Sequence, residues 1–216
     1  MKLYYNPLSA YSRKVLLAFE EKQQTFEHEI VDLFSEDAKA AYREVHPLGK
    51  VPLLMVDGDY PIPESSIIIE YLDTHFMTGT KLIPSDKDLA RKARFHDRVS
   101  DLYYLNPVVS LLLDGFKPED RRARDFEKEA WREQINTSLG LFNKGLDNKK
   151  YALGEEFTMG DLSPAAATFW WTFMQNSLDE HQNLKAWYER VTARPAWQRV
   201  QAAAEPFLAK LPQPDA

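Results

Sequence analysis

Residues 46–54, His-Pro-Leu-Gly-Lys-Val-Pro-Leu-Leu, contain a proline, Pro52, at the start of an apolar strand. Because proline has no backbone N–H to give to a neighbouring strand, Pro52 belongs at a sheet edge or in a special turn. If the Val51–Pro52 peptide bond is cis, the backbone N–H and C=O of Val51 face outwards, where an extended, peptide-like ligand can pair with them. The stretch therefore indicates a binding surface beside a sheet.

Short strands and amphipathic helices surround this stretch and predict an α/β unit. Apolar, β-rich runs alternate with segments of helical spacing, and Asp57-Gly58-Asp59 is a hairpin signal between the two strands that follow Pro52. The predicted order is β-α-β-α-β-β-α, with strands at 1–5, 26–31, 51–56 and 60–62, and helices at 11–22, 36–45 and 65–75.

From about Asp86 onwards the pattern predicts helices alone, with charged faces and aromatic stripes. Long periodic stretches cover 87–113 and 118–146, and three shorter ones follow Gly160. These helices are expected to pack as a bundle.

A segment at 77–85, which contains Gly79 and Pro84, separates the two kinds of pattern. We therefore predict two domains, an α/β domain over 1–78 and an all-helical domain over 86–216.

One helix start is marked by a capping motif in the second domain. Thr158 is followed three residues later by Asp161, and Phe157 can pack onto Leu162 as a hydrophobic staple. Loss of such a cap typically costs about 1 kcal/mol. We assign this motif to folding rather than to chemistry.

Composition excludes several classes of function. The net charge is −6 without basic blocks, so the field of the protein repels a phosphate backbone and nucleic acid is not an expected partner. No apolar stretch approaches the roughly 20 residues that cross a bilayer, and no signal-like segment precedes the first strand. We expect a cytoplasmic protein that does not bind membranes.

The chain contains no cysteine, so any sulfur chemistry must use a bound thiol. Its five histidines show no metal-binding spacing, and no metal is predicted.

Glu64-Ser65-Ser66 lies just before the Ile67–Ile69 run, at a predicted helix N-terminus. Hydroxyls and free backbone N–H groups there attract a carboxylate, while Glu64 can receive an ammonium group. The motif is therefore either a device that recognises both ends of an amino-acid head group or a simple helix cap with an acidic first turn.

Residues 7–13 span the turn between the first strand and the first helix, where a hydroxyl can stabilise a thiolate. One hydrogen bond to a charged acceptor contributes about 1.5–3 kcal/mol, which lowers a thiol pKa by roughly one to two units from about 8.5. Serines in such turns are more often caps. By position, Ser12 is the better cap and Ser9 has the freer side chain.

Aromatic residues in the helical part are candidates for a pocket in a cleft between the domains, although most aromatic side chains are core. The candidates are Tyr103, Tyr104, Phe116, Trp170, Trp171 and Phe173.

Several motifs occur in the order found in the cytosolic glutathione transferase family, and the chain resembles that family from end to end. The stretches H-P-L-G-K-V-P-L-L and P-E-S-S-I-I-I-E-Y-L resemble its cis-proline and glutamyl-binding segments. F-T-M-G-D-L resembles its capping motif, and L-K-A-W-Y-E-R-V-T-A-R-P-A-W its terminal helices. The resemblance implies a thioredoxin-like first domain, an all-α second domain, a homodimer, and active sites between domains.

By position, the resemblance implies that the Val51 backbone next to Pro52 pairs with the cysteinyl backbone of glutathione. Glu64 and Ser65 would hold its γ-glutamyl end, and Lys50 its glycyl carboxylate.

The resemblance leaves the sulfur-activating residue open, because family members use tyrosine, serine or cysteine near the end of the first strand. S-A-Y-S-R-K-V is most similar to the serine-type, bacterial members. We therefore name Ser9, with Ser12 and Tyr5 as alternatives. The lack of cysteine argues against reductases of the family that form a protein mixed disulfide.

The predicted function is a glutathione transferase whose bound thiolate attacks a small apolar electrophile. Alternatives are a specialised glutathione-dependent isomerase, dehalogenase or ether-cleaving lyase, and a non-catalytic member that only binds glutathione or a protein partner.

Overall fold

The computed structural model describes residues 1–58 and 60–211. Asp59, in the predicted hairpin turn, and residues 212–216, at the end of the predicted second domain, lie outside the described residues. A four-stranded sheet with the order β2-β1-β3-β4 forms the first part of the chain. β1 pairs in parallel with β2 and antiparallel with β3, and β3 pairs antiparallel with β4. The strands are β1 Lys2–Tyr5, β2 Glu27–Ile30, β3 Leu53–Val56 and β4 Tyr60–Pro63.

Three helices cover this sheet, as the alternating pattern predicted. Helices α1 (Ala10–Glu21) and α3 (Ser65–His75) pack against each other. Their apolar residues join the main core, which continues into the helical part of the chain. A smaller cluster formed by Val31, Leu53 and Tyr42, the last from α2 (Glu36–Val45), is separate from it.

The rest of the described chain is helical. Contacts among these helices are extensive, and α7 lies at their centre, between α1, α4 and α5. None of the described helices is long and apolar enough to span a membrane. The helices are α4 Lys87–Ser100, α5 Asn106–Gly115, α6 Asp125–Gly145, α7 Met159–Phe173, α8 Gln182–Thr192 and α9 Pro195–Leu208.

The first long helical stretch contains a π-helical turn, Asp101–Leu105, between α4 and α5. The N–H of Asn106 reaches back five residues to the carbonyl of Asp101. Pro107 follows and has no N–H, so it cannot bond the carbonyl four residues before it, that of Tyr103. The hydroxyl of Ser138 donates to that carbonyl at 2.7 Å instead.

The second long stretch begins later than the periodicity predicted. Pro118 and Arg122 have extended backbones, with ψ of 146° and 151°, and only a single 3₁₀ turn separates them. Helix α6 starts at Asp125, where Glu127 accepts from the backbone N–H of Arg124. The prediction of a helix from 118 was therefore wrong by about two turns.

The linker between the sheet and the helices is tied down by Asp73 and Glu21. Asp73 accepts from the backbone N–H groups of Leu82 and Ile83 at 2.8 and 3.0 Å and pairs with the Lys22 ammonium at 2.9 Å. The carbonyl of Glu21 accepts from the N–H of Thr80 at 2.8 Å.

Gly79 is required at the closest approach of the linker to α1. A Cβ there would lie 2.0 Å from the Glu21 carbonyl oxygen, and φ is +68°. Only glycine meets both conditions without strain.

Asp161 forms the predicted capping box with Thr158 at the start of α7. Its fully buried carboxylate accepts from the N–H of Thr158 at 2.9 Å, of Ala152 at 2.8 Å and of the Trp187 indole at 2.9 Å. Burial is the main influence on this group, and it raises the pKa of Asp161 to about 6. The residue thus joins α7, the preceding loop and α8.

We expect Asp161→Ala to lower the free energy of unfolding by about 3 kcal/mol or more, because it leaves several buried donors unpaired. Asp161→Asn is the matched control, since its amide oxygen still accepts, and it should lose clearly less. Urea denaturation of both variants measures the difference. A loss below about 1 kcal/mol for alanine, or equal losses for both, would contradict this role.

Candidate active site

The turn before β3 leaves an open backbone edge at Val51. The Val51–Pro52 bond is cis, as predicted. The carbonyl of Lys50 accepts from the Tyr42 hydroxyl at 2.9 Å, which anchors this turn to α2. Neither the N–H nor the C=O of Val51 has a hydrogen-bond partner among the described residues. The edge therefore offers one donor and one acceptor to an extended ligand.

Strand register brings this edge next to the start of α3. Leu53 pairs with Pro63 in the antiparallel β3–β4 ladder. Val51 comes two residues before Leu53 and Ser65 two residues after Pro63, so both lie at the same end of this ladder. β1 also ends at this side of the sheet, because Tyr4 pairs with Leu53. The segment after β1, the turn before β3 and the helix after β4 therefore meet at one edge.

The N-terminus of α3 has several polar groups that the fold leaves unused. Ser65 is 5% exposed, and its hydroxyl has no partner within the described part of the chain. Glu64 precedes it with φ of 69°, a left-handed conformation that is uncommon outside glycine, and its side chain does not cap the helix. Because the first N–H groups of a helix lack internal acceptors, an anion is stabilised here.

Ser9 caps α1, contrary to the expectation that Ser12 is the cap. The Ser9 hydroxyl oxygen accepts from the N–H of Ser12 at 3.2 Å. Ser12 is fully buried, and its own hydroxyl oxygen accepts from the N–H of Asn6 at 3.3 Å. Ser9 is half-buried and its hydroxyl hydrogen is not used by the cap, so that hydrogen can still be donated to a ligand.

Asn6 is a residue that sequence reasoning missed. Its amide donates to the Val31 carbonyl at 2.8 Å and accepts from the Leu8 N–H at 2.8 Å. The carbonyl of Asn6 also accepts from the N–H of Ser9 at 2.9 Å. Asn6 therefore fixes the turn that carries Ser9, and no local signal distinguishes it from an ordinary turn asparagine.

The hydroxyl of Tyr5, the tyrosine alternative, is already engaged in a hydrogen bond within the protein. Tyr5 is 7% exposed, and its hydroxyl is 3.0 Å from Nδ1 of His28 on β2. Its ring also meets Phe26 edge-on. Burial raises the pKa of Tyr5, which makes the phenol a weaker proton donor.

Two of the predicted pocket aromatics belong to the core. Tyr104 is 0% exposed with its hydroxyl 3.0 Å from Oγ1 of Thr168, and Trp170 is 1% exposed. Helical periodicity located these aromatics but did not identify the face that meets the cleft, so the prediction was wrong for both. Trp171 is also buried, while Phe116 and Phe173 are half-buried.

Tyr103 lies on a different surface. It lines a cavity of about 590 Å³ between α4 and α6, and none of the described residues lining that cavity comes from the sheet domain. It is therefore not placed to touch a ligand at Ser9.

Tyr11 is a second residue that sequence reasoning missed. It is half-buried in the first turn of α1, two positions after Ser9. Burial raises its pKa, and the nearby carboxylates of Asp101 and Glu64 add to the effect. The phenol thus marks the place where the start of α1, the start of α3 and the helical domain come together.

Family comparisons agree with this arrangement. Residues 3–79 match the model of the glutathione S-transferase N-terminal domain, and residues 110–195 match that of the C-terminal domain. Glutathione S-transferase 3 of Zea mays is 32% identical over 216 residues, which cover 94% of each chain. The chain belongs to the glutathione S-transferase family. The predictions of this family and of an enzyme of the transferase class are confirmed.

Another relative and two solved structures extend the comparison. Glutathione S-transferase F13 of Arabidopsis thaliana is 30% identical over 93% of this chain and 94% of its own length. A Methylobacillus flagellatus glutathione S-transferase solved with glutathione bound superimposes with a TM-score of 0.84 at 22% identity, covering 92% of this chain and 98% of its own. The β-etherase LigF of Sphingobium sp. strain SYK-6 gives 0.81 at 20% identity, covering 94% and 98%. These structures confirm the predicted thioredoxin-like domain followed by a helical domain.

Proposed function

We propose that this glutathione S-transferase binds glutathione along the edge formed by Val51 and Ser65, and that Ser9 stabilises the thiolate for attack on a small apolar electrophile. The observation that carries the proposal is the meeting, at one side of the sheet, of an open backbone edge, the hydroxyl of the largely buried Ser65, which has no partner among the described residues, and the half-buried cap hydroxyl of Ser9.

Each part of glutathione has a matching group at this edge. The cysteinyl backbone pairs with the N–H and C=O of Val51. The γ-glutamyl carboxylate binds Ser65 and the free N–H groups of α3, while its ammonium faces Glu64. The exposed Lys50 side chain is within the same turn and binds the glycyl carboxylate.

Ser9 activates the sulfur through its hydroxyl hydrogen. Its oxygen already accepts from the Ser12 N–H, which polarises the hydroxyl and favours donation to an anion. The chain has no cysteine, so a mixed disulfide with the protein is not available and the glutathione sulfur must itself be the nucleophile. A panel of electrophiles then separates a general transferase from an isomerase, a dehalogenase, an ether-cleaving enzyme or a non-catalytic binder.

We further propose that the protein forms a homodimer through α4 and α6. Phe95, Tyr103 and Leu141 are 63%, 51% and 64% exposed around the cavity between these helices. Contiguous apolar surface of this kind is typical of an interface. A second copy is the occupant that the family resemblance implies.

We expect Ser65→Ala to weaken glutathione binding roughly five- to thirtyfold, since it removes one hydrogen bond worth about 1–2 kcal/mol to a carboxylate. Isothermal titration calorimetry measures the dissociation constant. Ser177→Ala, which changes an exposed serine of the helical domain, is the matched control. Equal affinities for the two variants would remove Ser65 from the site.

Ser9→Ala should raise the thiol pKa of bound glutathione by about one to two units and lower turnover at neutral pH roughly ten- to a hundredfold. The affinity for glutathione should change little, because the bond strengthens only when sulfur is ionised. Thiolate absorbance titrated against pH reports the shift.

Because Ser9 also caps α1, its alanine variant should lose about 1 kcal/mol of stability, whereas Ser9→Gly should lose only a few tenths. Both variants lack the hydroxyl, so both should show the same thiol titration. Tyr5→Phe and Ser12→Ala should titrate as the unmodified protein does. A normal titration in Ser9→Ala beside a raised one in Tyr5→Phe would assign activation to the tyrosine.

Light scattering should give about twice the chain mass of 25.0 kDa at micromolar concentration. Leu141→Glu should yield monomers because it places a charge in the interface, while Ile30→Glu, on the exposed edge strand, should not. A single 25.0 kDa species for the unmodified protein would refute the dimer.

A further inference from the structure

A buried ionic cluster lies beneath the start of α3. The Lys14 ammonium, fully buried on α1, is 2.9 Å from Asp97 Oδ1 and 2.8 Å from Asp101 Oδ2. The Asp97 side chain is 2% exposed and that of Asp101 is 14% exposed. Asp101 is therefore the member nearest to solvent.

Two serine hydroxyls complete the cluster and join both domains. Ser66, in the first turn of α3, donates to Asp97 and lies 3.3 Å from both Lys14 Nζ and Asp101 Oδ2. Ser163 on α7 donates to Asp101 Oδ1 at 2.6 Å. The cluster thus fixes the turn that carries Ser65 against the helical domain.

The charges of the cluster do not balance. Two carboxylates share one ammonium, so with both ionised one negative charge remains buried. Burial raises the pKa of Asp97, and the Asp101 charge adds to this effect, while Lys14 and the Ser66 hydrogen bond oppose it. A proton therefore enters the cluster at a higher pH than an ordinary aspartate would allow.

The other described groups near the cluster do not compensate this excess. Tyr11 is neutral, because burial and the carboxylates of Asp101 and Glu64 raise its pKa. On the facing sides of α3 and α4, Glu70 and Arg94 pair with each other at 2.8 Å and are neutral together. On α7, Ser163 is the polar contact to Asp101. The excess charge therefore lies close to Glu64, at the end of α3 where an ammonium group is expected.

We propose that Lys14 and Asp97 are positioning residues for glutathione. Together with Asp101 they hold Ser66, and through it the first turn of α3, in place. This inference rests on the proposed binding of glutathione at Glu64 and Ser65. With Asp97 ionised, the net charge of the cluster attracts the γ-glutamyl ammonium. With Asp97 protonated, the cluster is neutral and that attraction is lost.

The sign of the pH dependence follows. The affinity for glutathione should be highest when the pH is above the pKa of Asp97 in the folded protein, and it should fall as the pH drops through that pKa. Removing Lys14 takes away the group that lowers this pKa, so the midpoint should move to higher pH. Removing the Asp97 charge should abolish the step and leave affinity at the low-pH value.

The test measures the dissociation constant of S-methylglutathione, which has no ionisable thiol, by calorimetry from pH 8 down to the lowest pH at which the protein stays folded. In the unmodified protein we expect affinity to rise by roughly tenfold across the step. Asp97→Asn should show no such step, and Lys14→Met should show it displaced to higher pH. Glu64 is retained in both variants, so its own contribution appears equally in all three profiles.

A merely structural role would lower affinity by the same factor at every pH, and that result would overturn the proposal. If Lys14→Met does not fold, the unmodified protein alone can still test the proposal. Binding near the midpoint must release protons, because it favours ionised Asp97. Calorimetry in buffers of different ionisation enthalpy detects this release. Absence of proton release there would also overturn it. Failure of the unmodified protein to bind S-methylglutathione at any pH would instead refute the proposed function.

Discussion

The pairing of β3 with β4 is the constraint on which the candidate site depends. Both strands have only four residues, yet their antiparallel register determines which backbone groups meet at the edge of the sheet. Moving the register by one residue would break the pairing of Leu54 with Ile62, both in the main core, and turn one of them towards the other face of the sheet. Core packing therefore protects the geometry of the candidate binding edge.

Helix α1 connects the sheet to the helical domain, because it packs against α3 on one side and against α7 and α9 on the other. One face of it carries Lys14 into the ionic cluster, and another carries Arg13 against the helices. The Arg13 guanidinium lies 3.7 Å from the centre of the Phe169 ring and donates to Gln201. Both cations are buried, so Lys14 cannot move without losing its carboxylate partners, and Arg13 cannot move without losing its ring contact and its bond to Gln201. The start of α1, where Ser9 lies, is held from both sides.

Sequence patterns predicted the elements well and the side-chain environments poorly, for physical reasons. Strand alternation, helical spacing and the capping box at Thr158 are local, so the order of elements and the change to helices near Asp86 could be predicted. The cap of α1 depends on Asn6, whose partner Val31 is distant in sequence. The burial of Trp170 and the pairing of Lys14 with Asp97 likewise depend on packing between domains.

The tied linker determines how the cleft between the domains can behave. Backbone N–H groups of Thr80, Leu82 and Ile83 are all bonded to α1 or α3, and the carbonyl of Leu82 accepts from the start of α7. A hinge needs a few residues free to change their dihedral angles, and these bonds restrain three residues of the connection. These bonds oppose a swing of the sheet against the helices, so access to the Ser9 side of the sheet depends on the standing shape of the entrance more than on rotation about this linker.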